Sequence, residues 1–423
     1  MTLSRFFYTV SIYLLGPVIL LRLLYRAIRA PAYAQRLAER FGFGDVAETN
    51  KTMWLHCVSV GEVLAAVPLV KALQQRYPDH RLTLTCMTPT GSERIQEAFG
   101  GSVDHYYAPY DMPDAVSRFL HRVKPSILII METELWPNTI AACQRRNIPV
   151  ILANGRLSDR SAKAYQRIRP LVQPMLAGLS VIAAQHRDDG ARFVALGLTQ
   201  AALRVTGNIK FDLSLDKAVQ LKAAELREQW HGKDKRRVFL AASTHRGEDE
   251  IILEAFAEIK TKIDNPLLVL VPRHPERFNQ VAELCALAGF NVARRSSADK
   301  VGGADILLGD TMGELMTFFG ACDIAFVGGS LVSAGGHNVI EPAAWGVPIV
   351  TGPYLFNFSE ASQLLVDGGG MLVCNDANQL AEQCIALLNS QQRREQMGSQ
   401  ASLIAEANRG ALDKLIAVID RFI

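Results

Sequence analysis

The 423 residues are 49% hydrophobic with a formal charge of +3. That is enough apolar material for two domain cores, and too little net charge, with Lys and Arg dispersed, for a nucleic-acid-binding surface. The cysteines at 57, 86, 143, 285, 322, 374 and 384 stand singly, with no C-x-x-C and no Cys/His cluster, which argues against structural zinc or a disulfide framework and fits a reducing compartment.

Phe6 to Leu21 carries no charge, and Arg22, Arg26, Arg29, Arg36 and Arg40 follow. A spanning helix needs about 20 apolar residues, so this run is marginal, and Gly16-Pro17 is expected to kink it. The arginines suit either a cytoplasmic flank or a helix lying on anionic headgroups. Membrane attachment through residues 1–30 is the expectation, with spanning and interfacial placement both open.

From Met53 short apolar runs alternate with helical patterns. Strands are predicted at 54–58, 82–87, 126–131, 150–153 and 181–184, and helices at 63–75, 115–123 and 188–196. The alternation predicts a parallel, doubly wound sheet, in which ligands sit beyond the carboxyl ends of the strands. Those ends carry Ser59-Val60-Gly61-Glu62, then Met131-Glu132-Thr133-Glu134-Leu135-Trp136-Pro137, and later Thr206-Gly207-Asn208-Ile209-Lys210. Glu62 could simply serve the dipole of the helix it opens. Two carboxylates followed by Trp-Pro are harder to assign to structure alone, because Glu132 and Glu134, separated by one residue, share a face of an extended segment. A domain boundary is expected near Asp212.

The alternation restarts with strands at 238–242, 267–271, 306–308, 324–327 and 348–350. Arg273, directly after a buried strand, offers a bidentate fork to phosphate; a salt bridge to Glu276 is its structural alternative. His245 and His274 lack a third ligand at a usable spacing, and no metal is expected. Asp323 to Pro348 reads as strand, Gly328-Gly329, Gly335-Gly336 and a helix opened by His337-Asn338 that carries Glu341. Such a turn presents backbone N–H groups to an anion. It is neither G-x-G-x-x-G nor a Walker A loop; the alternative is a capped helix with Asn338 and Glu341 as its capping box.

Read together, HCVSVGEVLAA (56–66), METELWPN (131–138), TGNIKFD (206–212), VPRHPERF (271–278), GDTMGEL (309–315) and GGHNVIEPAAWGVP (335–348) resemble the 3-deoxy-D-manno-octulosonic acid (Kdo) transferases of lipid A synthesis. The resemblance implies an α/β GT-B fold: two doubly wound Rossmann-like domains facing a central cleft, with an acceptor domain at 31–212 and a donor domain at 213–423. It implies inverting, metal-independent transfer of Kdo from CMP-Kdo to a hydroxyl of a lipid A precursor at the cytoplasmic face of the bacterial inner membrane, with no further cofactor. By the same resemblance Glu62 is the general base and Glu132 and Lys210 stabilise the transition state. CMP falls to Pro272 and Arg273, to Met312, Gly313 and Glu314, and to Asn338, Val339, Ile340 and Glu341. The rivals are a GT-B enzyme with a UDP-sugar donor and a non-catalytic membrane-attached scaffold.

Overall fold

The computed structural model describes residues 2–44, 51–213, 215–297 and 301–423; the side chain of Arg29 lies outside the described set. Two compact units emerge, Met1–Asp212 with Arg409–Ile423, and Leu213–Asn408.

The first unit is built on β1 (Thr52–His56), β2 (Arg81–Cys86), β3 (Asp104–Tyr107), β4 (Pro125–Met131), β5 (Val150–Gly155), β6 (Val181–Ala184) and β7 (Leu203–Val205). They form one sheet in the order β3-β2-β1-β4-β5-β6-β7, with every neighbouring pair parallel. Side chains alternate across it. Met53, Leu55, Ile127, Ile129, Ile151 and Ala153 enter the core on one face, while Trp54, Leu128, Ile130 and Leu152 enter the other. With both faces covered by helices, the inner strands read as continuous apolar runs rather than as alternation. The helix Pro113–Val123 shows the complementary pattern, burying Ala115, Val116, Phe119, Leu120 and Val123 along one stripe.

The second unit repeats the plan with β8 (Val238–Thr244), β9 (Leu267–Pro272), β10 (Val292–Arg294), β11 (Ile306–Leu308), β12 (Ile324–Val327), β13 (Ile349–Thr351) and β14 (Met371–Val373), in the order β10-β11-β9-β8-β12-β13-β14. Phe239 and Ala241 face one core and Val238, Leu240 and Ala242 the other. In each sheet the order reverses beside the first strand, between β1 and β4 and between β8 and β12. That switch point is where open α/β sheets leave a crevice for ligands.

The last helix, Ala411–Ile419, belongs to the first unit although the expected second domain ran to residue 423. Ala411, Leu415 and Ile419 are fully buried in the first unit's core. The Asp212 carboxylate accepts from the N–H groups of Gly410 and Leu412 at the start of this helix, and Asp420 pairs with Arg76 at 2.6 Å.

The N-terminal helix runs Leu3–Arg29 without a break through Gly16-Pro17. Leu3–Ile28 is, among the described residues, the one segment long and apolar enough to cross a membrane by length and composition. It docks on the first unit through polar side chains: Ser4 Oγ donates to the Pro170 carbonyl at 2.8 Å, Tyr8 OH to Asp111 Oδ2 at 2.9 Å and Thr9 Oγ1 to Asn138 Oδ1 at 3.1 Å.

Candidate active site

At the first unit's switch point β1 ends at His56 and the chain turns through Ser59 into the helix Val60–Arg76. Ser59 caps that helix, its Oγ accepting from the Glu62 N–H at 3.3 Å. Glu62 answers as in a capping box: Oε1 accepts from Ser59 Oγ at 2.9 Å and Oε2 from the Val58 N–H at 2.7 Å. The carboxylate is thereby fixed in position, 6% exposed. Burial pushes its pKa up to about 7, Glu134 and Glu132 push the same way, and the Val58 and Ser59 hydrogen bonds oppose them. A carboxylate poised near neutrality, with one lone pair on each oxygen still unused, is suited to accept a proton from an incoming hydroxyl.

The neighbouring strand β4 delivers the second group. Glu132 sits in the left-handed region, φ 58°, with its N–H bonded to the Ala153 carbonyl at 2.9 Å. The expectation that Glu132 and Glu134 share a face is therefore overturned: the chain has already turned at Glu132, and the period-two rule of an extended strand no longer applies. The two carboxylates take different partners. Glu132 Oε1 meets Lys210 Nζ at 2.8 Å, whereas Glu134 Oε2 accepts from the Trp136 indole at 3.4 Å. Burial raises the Glu134 pKa, and the charge of Glu132 adds to it.

Lys210 follows the edge strand β7, four strands from β1, and reaches Glu132 only because the Thr206–Asp212 loop folds back. Asn154 makes this possible. It is fully buried with φ 54°, its Oδ1 accepts from the Ile209 N–H at 3.1 Å, and its carbonyl accepts from Gln185 Nε2 at 3.0 Å. His56 underlies the same loops: Nδ1 lies 2.9 Å from Thr85 Oγ1, the ring meets that of Trp136 edge-on at 4.6 Å, and burial pulls its pKa down to about 4. It is a neutral support. The sequence alone assigns no role to Asn154, Gln185 or His56, because a polar residue at a strand end looks the same whether it binds a ligand or holds a loop.

In the second unit the segments after β9, β11 and β12 leave the same edge of a parallel sheet. Arg273 makes no ion pair among the described residues, and Glu276 instead approaches His274 at 4.0 Å, so the alternative of an Arg273–Glu276 bridge is not realised. The positive charge of Arg273 acts on both His337 and Glu341. Glu341 is raised by burial and held down by its hydrogen bond from Asn338 Nδ2, 3.1 Å. Asn338 Oδ1 also accepts from the Ile340 N–H at 3.0 Å. The helix here is Ile340–Ala344, not one opening at His337-Asn338 as expected, because Asn338 closes a local turn before helical geometry begins.

Glu314 is bidentate to Arg295, at 2.7 and 3.1 Å, which lowers its pKa. Gly313 has φ 81° and Met312 is exposed. Pro272, Arg273 and Asn338 to Glu341 thus gather near one another, while Met312 to Glu314 form a separate turn on the same sheet edge.

The Gly-rich turn after β12 does not present all its N–H groups to a ligand. Glu248, fully buried, accepts from Gly329 at 2.7 Å, Ser330 at 2.9 Å, Leu331 at 2.8 Å and His245 at 2.9 Å. An internal carboxylate fills the anion nest that the glycines suggested for a bound phosphate. His245 Nε2 and His337 Nε2 lie 2.8 Å apart, bringing a third imidazole beside His245 and His274. Among the described residues no group of three or more His, Cys, Asp or Glu is arranged to hold a metal ion.

Comparison with known proteins gives this geometry a family. A family model described as 3-deoxy-D-manno-octulosonic-acid transferase (kdotransferase) matches residues 35–213, and one described as glycosyl transferases group 1 matches residues 224–403. A 3-deoxy-D-manno-octulosonic acid transferase of Haemophilus influenzae is 46% identical over 99% of both chains, and one of Bordetella pertussis is 36% identical over 99% of both. The UDP-GlcNAc 2-epimerase of Neisseria meningitidis, solved with UDP-GlcNAc, is 14% identical and superposes with a TM-score of 0.58 over 88% of this chain and 100% of its own, a likeness of fold. The chain belongs to the 3-deoxy-D-manno-octulosonic acid transferase family, glycosyltransferases built on two Rossmann-like domains.

Proposed function

We propose that this chain transfers Kdo from CMP-Kdo to a hydroxyl of a membrane-held lipid A precursor in lipopolysaccharide synthesis, with inversion and with Glu62 as general base. Glu62 takes the proton of the acceptor hydroxyl as its oxygen bonds to the anomeric carbon. The bond from that carbon to the phosphate oxygen breaks, and CMP leaves with the electron pair. The observation that carries this reading is the Glu62 carboxylate, fixed by two hydrogen bonds, raised to about pH 7 and placed at the switch point beside the strand that bears Glu132.

The Glu132–Lys210 pair supplies fixed charge of both signs where a carboxylate-bearing sugar develops oxocarbenium character. In the second unit the guanidinium of Arg273 serves the donor phosphate and Glu341 the ribose hydroxyls. The turn Met312-Gly313-Glu314 lies against the cytidine, with Glu314 held by Arg295. The reading places the chain at the cytoplasmic face of the inner membrane through its N-terminal helix. Retention on immobilised CMP with elution by free CMP but not by UDP tests the donor assignment; equal elution by UDP removes it.

A further inference from the structure

The N-terminal helix is exposed in a pattern. Ser4, Arg5, Tyr8, Thr9, Ile12, Gly16, Ile19, Leu23 and Ala27 are the shielded positions, spaced by three and four residues along the whole helix, a single stripe of 3.6-residue period. Its upper half is held by the Ser4, Tyr8 and Thr9 hydrogen bonds described above, and by Tyr13 OH donating to Asp114. Lower down, a Cβ on Gly16 would stand 3.3 Å from Met112 Cε, and Leu23 is 7% exposed. The other faces stay open: Leu14 is 74%, Leu21 66% and Ile28 80% exposed. Half of the exposed large apolar side chains among the described residues belong to this one helix.

A helix held to its own domain from Ser4 to Gly16, about 18 Å of its length, leaves too little free helix to cross a hydrocarbon core of about 30 Å. Spanning would draw Asp111, Asp114 and Arg118 into hydrocarbon, or would break four hydrogen bonds, among them the one from Tyr8 to the buried Asp111 carboxylate. The Ser4–Pro170 contact also sets the first turn of the helix against the junction of the helices Asp159–Arg167 and Arg169–Leu176, where Arg160, Lys163, Arg167 and Arg169 are exposed. Arg22 and Arg26 are exposed at the far end. An apolar stripe with cations beside both ends matches an anionic lipid surface.

We propose that the N-terminal helix lies in the plane of an anionic phospholipid surface, docked on its domain, and does not span. The inference deepens the membrane-attachment reading above and rests on it. All seven native cysteines are buried, so introduced thiols can be labelled selectively. Full-length single variants Phe7→Cys, Leu14→Cys, Leu21→Cys and Ile28→Cys, carrying nitroxide labels, are bound to vesicles of phosphatidylethanolamine with one quarter phosphatidylglycerol, and label depth is measured. All four labels are expected at one shallow level, about 5–10 Å below the headgroup boundary. The double variant Lys163→Glu/Arg167→Glu is expected to weaken binding to these vesicles by about 25-fold or more, at roughly fivefold per cation, and to leave binding to neutral vesicles unchanged. Binding with label depth passing through the bilayer midplane between residues 7 and 28 overturns the in-plane placement alone. Absence of binding to either vesicle overturns the membrane-attachment reading as well.

Discussion

Replacing Glu62 by Gln separates chemistry from folding. The amide oxygen can still accept from the Val58 N–H, and the amide nitrogen can donate to Ser59 Oγ, so the two contacts that orient the side chain survive in shape. What disappears is the buried charge. With the folded pKa raised from 4.5 to about 7, ionising Glu62 above pH 7 costs the native state about 3 kcal/mol. The sign follows from linkage. The group is neutral in both states below pH 4.5, so no penalty exists there; it grows as pH rises through about 7 and is then constant. Glu62→Gln is therefore expected to melt at or above the wild-type temperature at pH 8, with no gain at pH 4, while turnover falls about 10²- to 10⁴-fold. The wild-type kcat/KM should drop about tenfold per pH unit below pH 7, and the variant should lack that limb. Thermal melts at both pH values, alongside initial rates from pH 5.5 to 9, measure these effects. Wild-type turnover in the Gln variant, or a loss of turnover matched by a loss of stability, would refute the role given to Glu62.

Arg273→Ala is expected to raise the donor KM about 10- to 150-fold, the worth of one hydrogen bond to a charged group, with thermal stability unchanged because no ion pair among the described residues is lost; isothermal titration with CMP checks it. Glu248→Ala strips the acceptor from four buried or half-buried N–H groups and should cost about 3 kcal/mol or more in urea unfolding, with Glu248→Gln recovering part of that. Leu415→Ala, in the returning C-terminal helix, should destabilise by about 2–5 kcal/mol and raise protease cleavage in the first unit, read by the sites of limited proteolysis. Lys210→Met should lower kcat more than KM for the donor if the Glu132–Lys210 pair acts in the transition state, as steady-state kinetics with varied CMP-Kdo would report.

The inner strands were legible because both faces of each sheet are buried, and a short, mostly apolar run between turn signals reads as such a strand. The edge strands β3, β7 and β10 were not, since three or four residues containing Asp104, His105, Arg204 or Arg294 carry no such run. Strand-end logic put Glu62, Glu132 and Arg273 just beyond the carboxyl ends of their strands, where the structure has them, because chain order and parallel pairing fix which ends share an edge. It could not foresee that Lys210 closes on Glu132, which depends on Asn154 pegging a loop 55 residues later in sequence. Nor could it foresee that Glu248 occupies the Gly329–Leu331 nest, since a Glu in the first turn of a helix is ordinary. The return of the last helix was likewise hidden: its apolar stripe fits either sheet, and the capping carboxylate that recruits it, Asp212, precedes Leu412 by 200 residues in sequence.

The most direct test of the transferase assignment is mass spectrometry of a tetraacyl lipid A precursor after incubation with the full-length chain and CMP-Kdo generated in situ. The account predicts product carrying the mass of one or more Kdo residues, formed with wild type and depressed by at least a hundredfold with Glu62→Gln. Unmodified precursor after incubation with folded, CMP-binding protein would contradict it.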